Sequence, residues 1–227
     1  MNENLLDKIV EAAQDAGKIL LRADDIADSV KAKEGHANYV TKYDSMIQKF
    51  LFEKLHIVLP EAQFMGEEDG AEKFAESYRK GFCFVIDPID GTTNFINKYR
   101  PSVVSIALLK DGAPYIGVVF NPYSDEMFWA EKNGGAFCNG EQLHSSKLPL
   151  SESLVLMGTA PYNPELRQTT FDTAMFYFKQ CADLRRSGSA EWDLCCVASG
   201  RASLFFEYSL GVWDYAAGGL ILTEAGG

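Results

Sequence analysis

The sequence lacks a long hydrophobic run and an excess of positive charge, and each absence excludes a class of protein. The longest apolar stretch, around Val103 to Leu109, is far shorter than the roughly 20 residues that cross a bilayer, and no N-terminal segment resembles a secretion signal. Asp and Glu number 32 against 21 Lys and Arg, a net charge of −11 that repels nucleic acid and anionic membranes. We therefore expect a soluble, cytoplasmic protein that binds neither.

Cysteine and histidine are too few and too scattered for a metal centre based on sulfur or imidazole. The five cysteines are odd in number and form no Cys-x-x-Cys pair, which argues against a complete disulfide framework. The three histidines lack zinc spacing. Nucleotide-binding glycine loops and the Gly-x-Ser-x-Gly motif of hydrolases are also absent. Since 47% of the residues are hydrophobic, we expect a globular enzyme whose chemistry rests on other side chains.

The sequence does contain an apolar stretch that ends in two aspartates three positions apart. The run 82–86, Phe-Cys-Phe-Val-Ile, is short and flanked by glycine and proline, which favours a strand buried on both faces. Pro88 is expected to stop further pairing because it has no N–H to donate. The strand therefore places Asp87 and Asp90 together at its end.

The residues after these aspartates favour an anion site. Gly91 permits a sharp turn, and Thr92 or Thr93 can cap a short helix whose free N–H groups attract negative charge. An alternative interpretation is a plain strand-to-loop junction, since Asp-Pro and Asp-Gly are ordinary turn dipeptides.

Hydrophobic periodicity divides the chain near residue 142. Before it, we predict helices over residues 5–21, about 44–59 and 71–79, together with an antiparallel meander. After it, strands and helices alternate, which indicates an α/β unit. We therefore predict an N-terminal α+β subdomain, residues 1–142, that holds most metal ligands, and a C-terminal α/β subdomain, residues 143–227. The predicted strands span residues 63–66, 103–110, 115–120, 126–131, 154–159, 182–186 and 204–208.

Three motifs together resemble the inositol monophosphatase family of magnesium-dependent, lithium-sensitive phosphatases. They are Gly-Glu-Glu at 66–68, Asp-Pro-Ile-Asp-Gly-Thr-Thr-Asn-Phe at 87–95 and Trp-Asp-Tyr-Ala-Ala-Gly-Gly at 213–219. The resemblance implies a layered α/β/α/β/α sandwich of the type shared with fructose-1,6-bisphosphatase. Family members usually continue past the equivalent of Gly227, so we expect the C-terminal end to be incomplete.

The resemblance also implies a set of metal ligands. Glu67 and Asp87 with the Ile89 carbonyl would hold one ion, and Asp87, Asp90 and Asp214 a second. Carboxylates that converge in one cleft raise each other's pKa unless a cation neutralises them. Oxygen-only ligands in an open site suit Mg²⁺, and we expect two or three ions.

The remaining site residues also follow from the family. Glu67 and Thr92, with Asp44 nearby, would orient the attacking water. The N–H groups of Gly91 and Thr92 are expected to bind phosphate oxygens, and Ser189, Ala190 and Glu207 to contact substrate hydroxyls. Lys33, on a mobile loop formed by residues 31–38, and Glu68 are further candidates.

Several of these acids also have an alternative interpretation as purely structural residues. The acidic run 67–69 is typical of a solvated turn, and Asp44 and Asp214 are each suited to cap a helix N-terminus.

The predicted activity is hydrolysis of inositol 1-phosphate. Gly211, where animal relatives carry histidine, favours a broader alternative that includes the 2′-phosphate of NADP(H) or fructose 1,6-bisphosphate. The non-enzymatic alternatives are a metal-binding regulatory protein and an acidic interaction domain. The apolar meander and the family also predict a homodimer.

Overall fold

The structure, a computed structural model, describes residues 5–33, 37–69 and 77–227. The helices in these ranges are α1 (Leu5–Leu21), α2 (Lys42–Val58), α3 (Thr92–Asn97), α4 (Arg167–Phe178), α5 (Ala190–Ala198) and α6 (Ala216–Glu224). The strands there are β1 (Lys31–Ala32), β2 (Tyr39–Val40), β3 (Gln63–Gly66), β4 (Phe82–Asp90), β5 (Val103–Lys110), β6 (Ala113–Asn121), β7 (Glu126–Glu131), β8 (Ala136–Cys138), β9 (Glu141–Gln142), β10 (Leu154–Met157), β11 (Asp183–Arg185) and β12 (Leu204–Phe206).

The strands form one large mixed sheet, one small parallel sheet and a short hairpin. The large sheet has the order β3-β4-β5-β6-β7-β8-β9, in which β3 pairs with β4 in parallel and every other pair is antiparallel. The predicted meander is therefore confirmed. The small sheet has the parallel order β11-β10-β12, and β1 pairs with β2.

Alternation along the central strands places two cores on opposite faces of the large sheet. On one face, side chains such as Phe84, Ile86 and Ile106 pack against α1 and α2. On the other face, Val85 and Ala107 pack against α5 and α6. Since successive strand residues point to opposite faces, a continuous apolar run is what a sheet covered on both sides requires.

The small sheet completes the layers. Helix α5 packs against it through Cys196 and Val197, and α4 contacts β11 from the other side. The resulting order is helices, large sheet, helices, small sheet, helix, so the predicted layered α/β/α/β/α sandwich is confirmed. The boundary predicted at residue 142 stays a prediction.

Burial also explains the abundance of large side chains in the meander. Strand β5 is buried up to its last residue and β6 from Ile116 onward, with Val104 and Val119 fully covered on opposite faces. Two covered faces within one chain account for the side chains that suggested self-association. The homodimer stays a prediction, resting on the family resemblance.

Strand β4 differs from its prediction at the proline. It does not end before Pro88 but continues to Asp90, with a shift of its pairing with β5 between Asp87 and Asp90. Proline removes one ladder hydrogen bond, and an irregular register lets the strand bypass that gap before Asp90 pairs with Val103.

Three predicted caps are also corrected. Helix α2 is capped by Thr41, and Asp44, the third residue of the helix, is the reciprocal partner in the capping box rather than the cap. Helix α3 is preceded by Gly91, whose φ of 93° suits glycine, and no threonine side chain caps it. Asp214 lies in a 3-10 turn before α6 and does not cap that helix.

Two predictions reach segments outside the description. Residues 71–76 of the predicted surface helix and residues 34–36 of the predicted loop lie outside the described residues, while Ser77–Arg79 form a 3-10 turn. Within the described ranges, no helix combines the length and apolar character needed to cross a membrane.

Candidate active site

Three aspartates meet where the bulged end of β4 approaches the turn before α6. Carboxylate oxygens of Asp87, Asp90 and Asp214 lie within 4.8 Å of one another. Asp87 and Asp90 are buried, at 2% and 7% exposure, and Asp214 is half-buried. The irregular register of β4 brings its two aspartates to the same side, although regular alternation would separate residues three apart. We call this group the floor carboxylates.

Neutral donors hold the floor carboxylates in place. Asp90 accepts hydrogen bonds from the Ser189 hydroxyl (2.8 Å) and from the N–H groups of Ala190 (3.3 Å) and Glu191 (2.7 Å). It thereby serves as the anion at the N-terminus of α5. Asp87 accepts from the N–H of Ile89 at 2.9 Å and Asp214 from the N–H of Gly211 at 2.6 Å.

These surroundings leave the floor carboxylates uncompensated. Burial, then the charge of Glu67 and of the other two aspartates, raises the pKa of Asp87 well above its ordinary range. Burial and the Asp90 charge do the same to the pKa of Asp214. Burial raises the pKa of Asp90 to about 7, although Ser189 and two N–H groups oppose the rise. Negative charge is therefore costly here without a cation.

Glu67 and Glu68 lie in the 3-10 turn that follows β3, and we call them the rim carboxylates. The Lys33 ammonium lies 3.0 Å from Glu67 Oε1 and 2.7 Å from Glu68 Oε1. Burial nevertheless raises the pKa of Glu68 to about 7, opposed by its hydrogen bond to Lys33. The charges of both glutamates raise the pKa of Lys33 above its ordinary value, although burial opposes them.

Thr92 connects the floor carboxylates to Asp44, another buried acid. Its hydroxyl lies 3.2 Å from Asp44 Oδ1 and 3.2 Å from the Ile89 carbonyl. Asp44 is fully buried at 0% exposure, and its other oxygen accepts from the Thr41 hydroxyl and N–H. Burial raises the pKa of Asp44 against those hydrogen bonds. A hydroxyl that donates to Asp44 keeps its lone pairs for accepting a hydrogen bond from another group.

A cavity of about 150 Å³ opens above the floor carboxylates. Ten of the predicted site residues line it: Glu67, Asp87, Ile89, Asp90, Gly91, Thr92, Ser189, Ala190, Glu207 and Asp214. The other three are not in its lining: Asp44 and Lys33 contact the lining residues Thr92 and Glu67, and Glu68 pairs with Lys33. The ligand and catalytic roles assigned from the sequence stay predictions. The Ser189 hydroxyl donates to Asp90, and Glu207 accepts the N–H of Ala160 at 3.1 Å.

Several residues at the cavity were missed in the sequence. Asp193 lines it at 2% exposure, with one carboxylate oxygen that has no hydrogen-bond partner. Burial raises its pKa to about 8. Glu191 is fully buried behind the floor, and burial followed by the Asp90 charge raises its pKa to about 8. Glu191 and Asp193 lie in the first turn of α5, where acidic residues are common. The local sequence pattern therefore did not identify them as site residues.

The argument from Gly211 is not supported by its position. Gly211 lies outside the lining of the site cavity and borders a separate apolar pocket with Trp213. A Cβ at position 211 would lie 2.6 Å from the Trp213 ring. The missing side chain therefore does not enlarge the site, whose corresponding wall is formed by Leu210.

The floor carboxylates fit a hard divalent cation. Oxygens on opposite sides of Mg²⁺ are roughly 4.2 Å apart, twice the Mg–O distance, so a spread of 4.8 Å needs only sub-ångström movement. Among the described residues, no lysine or arginine is paired with any of the three aspartates. The floor carboxylates offer only oxygen ligands, and a divalent cation would stabilise their ionised form, which burial disfavours.

Comparison with known proteins points to one family. The model of the inositol monophosphatase family matches residues 1–227. Nus factor SuhB of Escherichia coli K12 is 35% identical over 225 residues, 98% of this chain and 83% of that protein. Inositol-1-monophosphatase of Rhizobium meliloti is 35% identical over 233 residues, 98% and 84% respectively. The crystal structure of extragenic suppressor protein SuhB from Bartonella henselae superposes with a TM-score of 0.90 at 34% identity, covering 99% of this chain and 86% of that chain.

Proposed function

The chain belongs to the inositol monophosphatase family, and from that premise we propose that it is a Mg²⁺-dependent phosphatase of small phosphate monoesters. Inositol 1-phosphate is the substrate that we propose first, because a relative with 35% identity is named inositol-1-monophosphatase. A relative of equal identity is named Nus factor SuhB, so the names of relatives do not select the substrate. Direct measurement is needed for that.

One observation carries the proposal: three carboxylates, two of them buried and one half-buried, lie within 4.8 Å of one another at the floor of a polar cavity. Left ionised and unpaired, such a group would cost several kcal/mol per charge. A fold keeps an arrangement of that kind where a cation binds, and perturbed acids in a cleft mark functional sites. The acidic interaction domain is disfavoured, because its carboxylates would face solvent rather than each other.

The proposed ligands are Glu67, Asp87, Asp90 and Asp214 with the Ile89 carbonyl, for two or three Mg²⁺ ions. When bound, Mg²⁺ supplies Lewis-acid polarisation of phosphate oxygens and lowers the pKa of water.

The chain's own residues then position the reactants. The Thr92 hydroxyl, which can donate to Asp44, accepts a hydrogen bond from the attacking water and orients it toward phosphorus. The N–H groups at the start of α3, from Gly91 and Thr92, face the phosphate oxygens. Glu207, whose Oε1 accepts the Ala160 N–H, retains acceptor capacity for a substrate hydroxyl. The cavity walls hold these groups in fixed relation, which lowers the entropic cost of the reaction.

Phosphate release from a panel of monoesters, with and without Mg²⁺, tests the proposal. The panel contains inositol 1-phosphate, NADP and fructose 1,6-bisphosphate, so the narrow and broad activities are measured together. We expect turnover that requires Mg²⁺ and is highest, in kcat/KM, for inositol 1-phosphate. Binding of Mg²⁺ without turnover of any substrate would instead support a metal-binding regulatory protein.

Lithium provides a second test of the same site. We expect Li⁺ to inhibit by replacing Mg²⁺ near Asp90 and Asp214, the position next to the leaving group. Inhibition should weaken as Mg²⁺ is raised, because both ions compete for the same oxygens. Activity unchanged over a wide range of Li⁺ would contradict this ligand assignment while leaving the phosphatase activity itself intact.

A further inference from the structure

Glu191 forms a buried connection between β4, which carries two of the floor carboxylates, and α6, which follows the third. It is the second residue of α5, and its N–H donates to Asp90 Oδ2 at 2.7 Å. Asp90, from β4, therefore fixes the N-terminal end of α5. Glu191 itself has 0% exposure, so its carboxylate must find its partners inside the protein.

Those partners lie on α6 and β5. Glu191 Oε2 accepts the N–H of Gly218 at 2.5 Å, and Oε1 accepts the N–H of Ala217 at 3.3 Å and the Ser105 hydroxyl at 2.9 Å. Ala217 and Gly218 lie in the first turn of α6, whose N–H groups have no partners within the helix. A carboxylate at this end of a helix is stabilised by those N–H groups and by the helix dipole.

The contact depends on a close approach of backbone and side chain. A Cβ at Gly218 would lie 2.4 Å from Glu191 Oε2, so any other residue at position 218 would displace the carboxylate. Helix α6 begins two residues after Asp214. A continuous set of hydrogen bonds thus runs from Asp90 through Glu191 to the helix that directly follows Asp214.

Hydrophobic packing alone would not define the separation of Asp90 and Asp214 closely. Helices α5 and α6 share an apolar contact that includes Cys195 and Ile221, and such packing is non-directional. Hydrogen bonds, by contrast, have preferred distances and angles. The polar connection therefore adds a directional constraint between α5 and α6 that apolar packing does not supply.

We propose that Glu191 is a positioning residue that sets the separation of Asp90 and Asp214 and thereby the affinity of the site for its metal. Both carboxylate oxygens are occupied by donors from β5 and α6, so Glu191 acts through the ligands and not as one. The inference rests on the proposed metal-dependent function of the site.

Titration of metal-free protein with Mn²⁺, followed by electron paramagnetic resonance of the free ion, measures the effect without reference to turnover. Mn²⁺ takes the same carboxylate ligands as Mg²⁺. We expect Glu191→Ala to weaken Mn²⁺ binding by about tenfold, the usual effect of losing an outer-shell partner. Glu191→Gln, which keeps one acceptor oxygen and the side-chain shape, should lose less.

Two further variants separate positioning from general stability. Ser105→Ala removes one of the three bonds to the carboxylate and should weaken Mn²⁺ binding by about threefold; it remains informative if Glu191→Ala does not fold. Ser153→Ala is the matched control, because its buried hydroxyl donates to the Pro149 carbonyl at 2.8 Å on another part of the fold. It should lower Tm and leave Mn²⁺ affinity unchanged.

The outcomes distinguish the inference from the function beneath it. Normal Mn²⁺ binding in Glu191→Ala and Ser105→Ala, beside a wild-type protein that binds Mn²⁺, would overturn the role of Glu191 and leave the proposed function standing. A loss of affinity in Ser153→Ala as large as that in Ser105→Ala would overturn it too, since stability alone would then explain both. Absence of Mn²⁺ binding in the wild-type protein would overturn the proposed function, and the role of Glu191 with it.

Discussion

The floor and rim carboxylates differ in what neutralises them. Glu67 and Glu68, at the rim, share the ammonium of Lys33 at 3.0 and 2.7 Å. Asp87, Asp90 and Asp214, at the floor, receive only neutral hydroxyl and N–H donors among the described residues.

This difference indicates which carboxylates need an external cation. Neutral donors stabilise a carboxylate but leave its charge in place, whereas an ammonium cancels one charge at close range. The rim can therefore persist without metal, while the floor is relieved only by protonation or by a bound ion. The variants and conditions below change one group at a time, in order of decreasing expected effect.

Removing a floor charge should have the largest effect. We expect Asp87→Asn to lower kcat by roughly a thousandfold, since the loss of metal-mediated stabilisation amounts to about 4 kcal/mol. The measurement is phosphate release at saturating Mg²⁺. The metal-free variant should melt no lower than the wild type, because the charge it removes is buried and repelled by its neighbours.

Asp172→Asn is the matched control, because Asp172 is exposed on α4 and accepts a hydrogen bond from Gln168. It should leave kcat unchanged. Near-normal turnover in Asp87→Asn would contradict the assignment of the floor as the metal site.

Stability should depend on pH and metal in opposite ways. The folded-state pKa of Asp90 is raised to about 7, so the folded protein binds more protons than the unfolded chain between about pH 4 and pH 7. The free energy of unfolding of metal-free protein should therefore be highest at the acidic end of this window and fall as pH rises through 7.

Mg²⁺ should reverse this loss at the alkaline end. At one hundred times its Kd, Mg²⁺ adds about 2.7 kcal/mol to the free energy of unfolding, which corresponds to a Tm increase of about 5–10 °C. The gain should shrink at pH 5.5, since protonated carboxylates do not bind metal. Thermal melts at several pH values check both trends, and a metal-free Tm that rises from pH 5.5 to pH 8 would contradict them.

Weakening the support of one floor carboxylate should have an intermediate effect. Ser189→Ala removes the hydroxyl donor to Asp90, so we expect Mg²⁺ to bind about tenfold less tightly. Half-maximal activation by Mg²⁺ measures the change. Ser199→Ala, whose hydroxyl donates to the Cys195 carbonyl at 2.9 Å, removes a bond of similar kind at the far end of α5 and should leave activation unaltered.

Changing the rim should have the smallest effect and the opposite sign. Lys33→Met removes a positive charge beside Glu67, so a divalent cation should bind more tightly by about 1 kcal/mol, or roughly fivefold. Titration of metal-free protein with Mn²⁺ is the measurement. Lys54→Met is the matched control, since Lys54 also pairs with two carboxylates, Glu11 and Asp15, away from the cavity. Weaker binding in Lys33→Met alone would mean that the rim lysine supports the metal site.

Sequence pattern predicted the regular elements well because their signals are local. The helix at residues 5–21 is confirmed at both ends as Leu5–Leu21, and the strand 126–131 as Glu126–Glu131. The end of β4 was predicted wrongly, because Pro88 was expected to stop pairing and instead lies in an irregular stretch of the ladder. A bulge depends on the partner strand, which the local sequence does not contain.

The sequence by itself determined the regular elements, the floor and rim carboxylates and the family, since hydrophobic period and motif spacing are local properties of the chain. The layered sandwich was expected from the family resemblance. Only the tertiary structure decided how each carboxylate is compensated. It brings Lys33 to the rim, turns the donors of Ser189 toward Asp90 and places Glu191 between α5 and α6. The reason is that electrostatic compensation depends on distance and burial, and residues such as Asp90 and Glu191, about one hundred positions apart, become neighbours only when the sheets and helices pack.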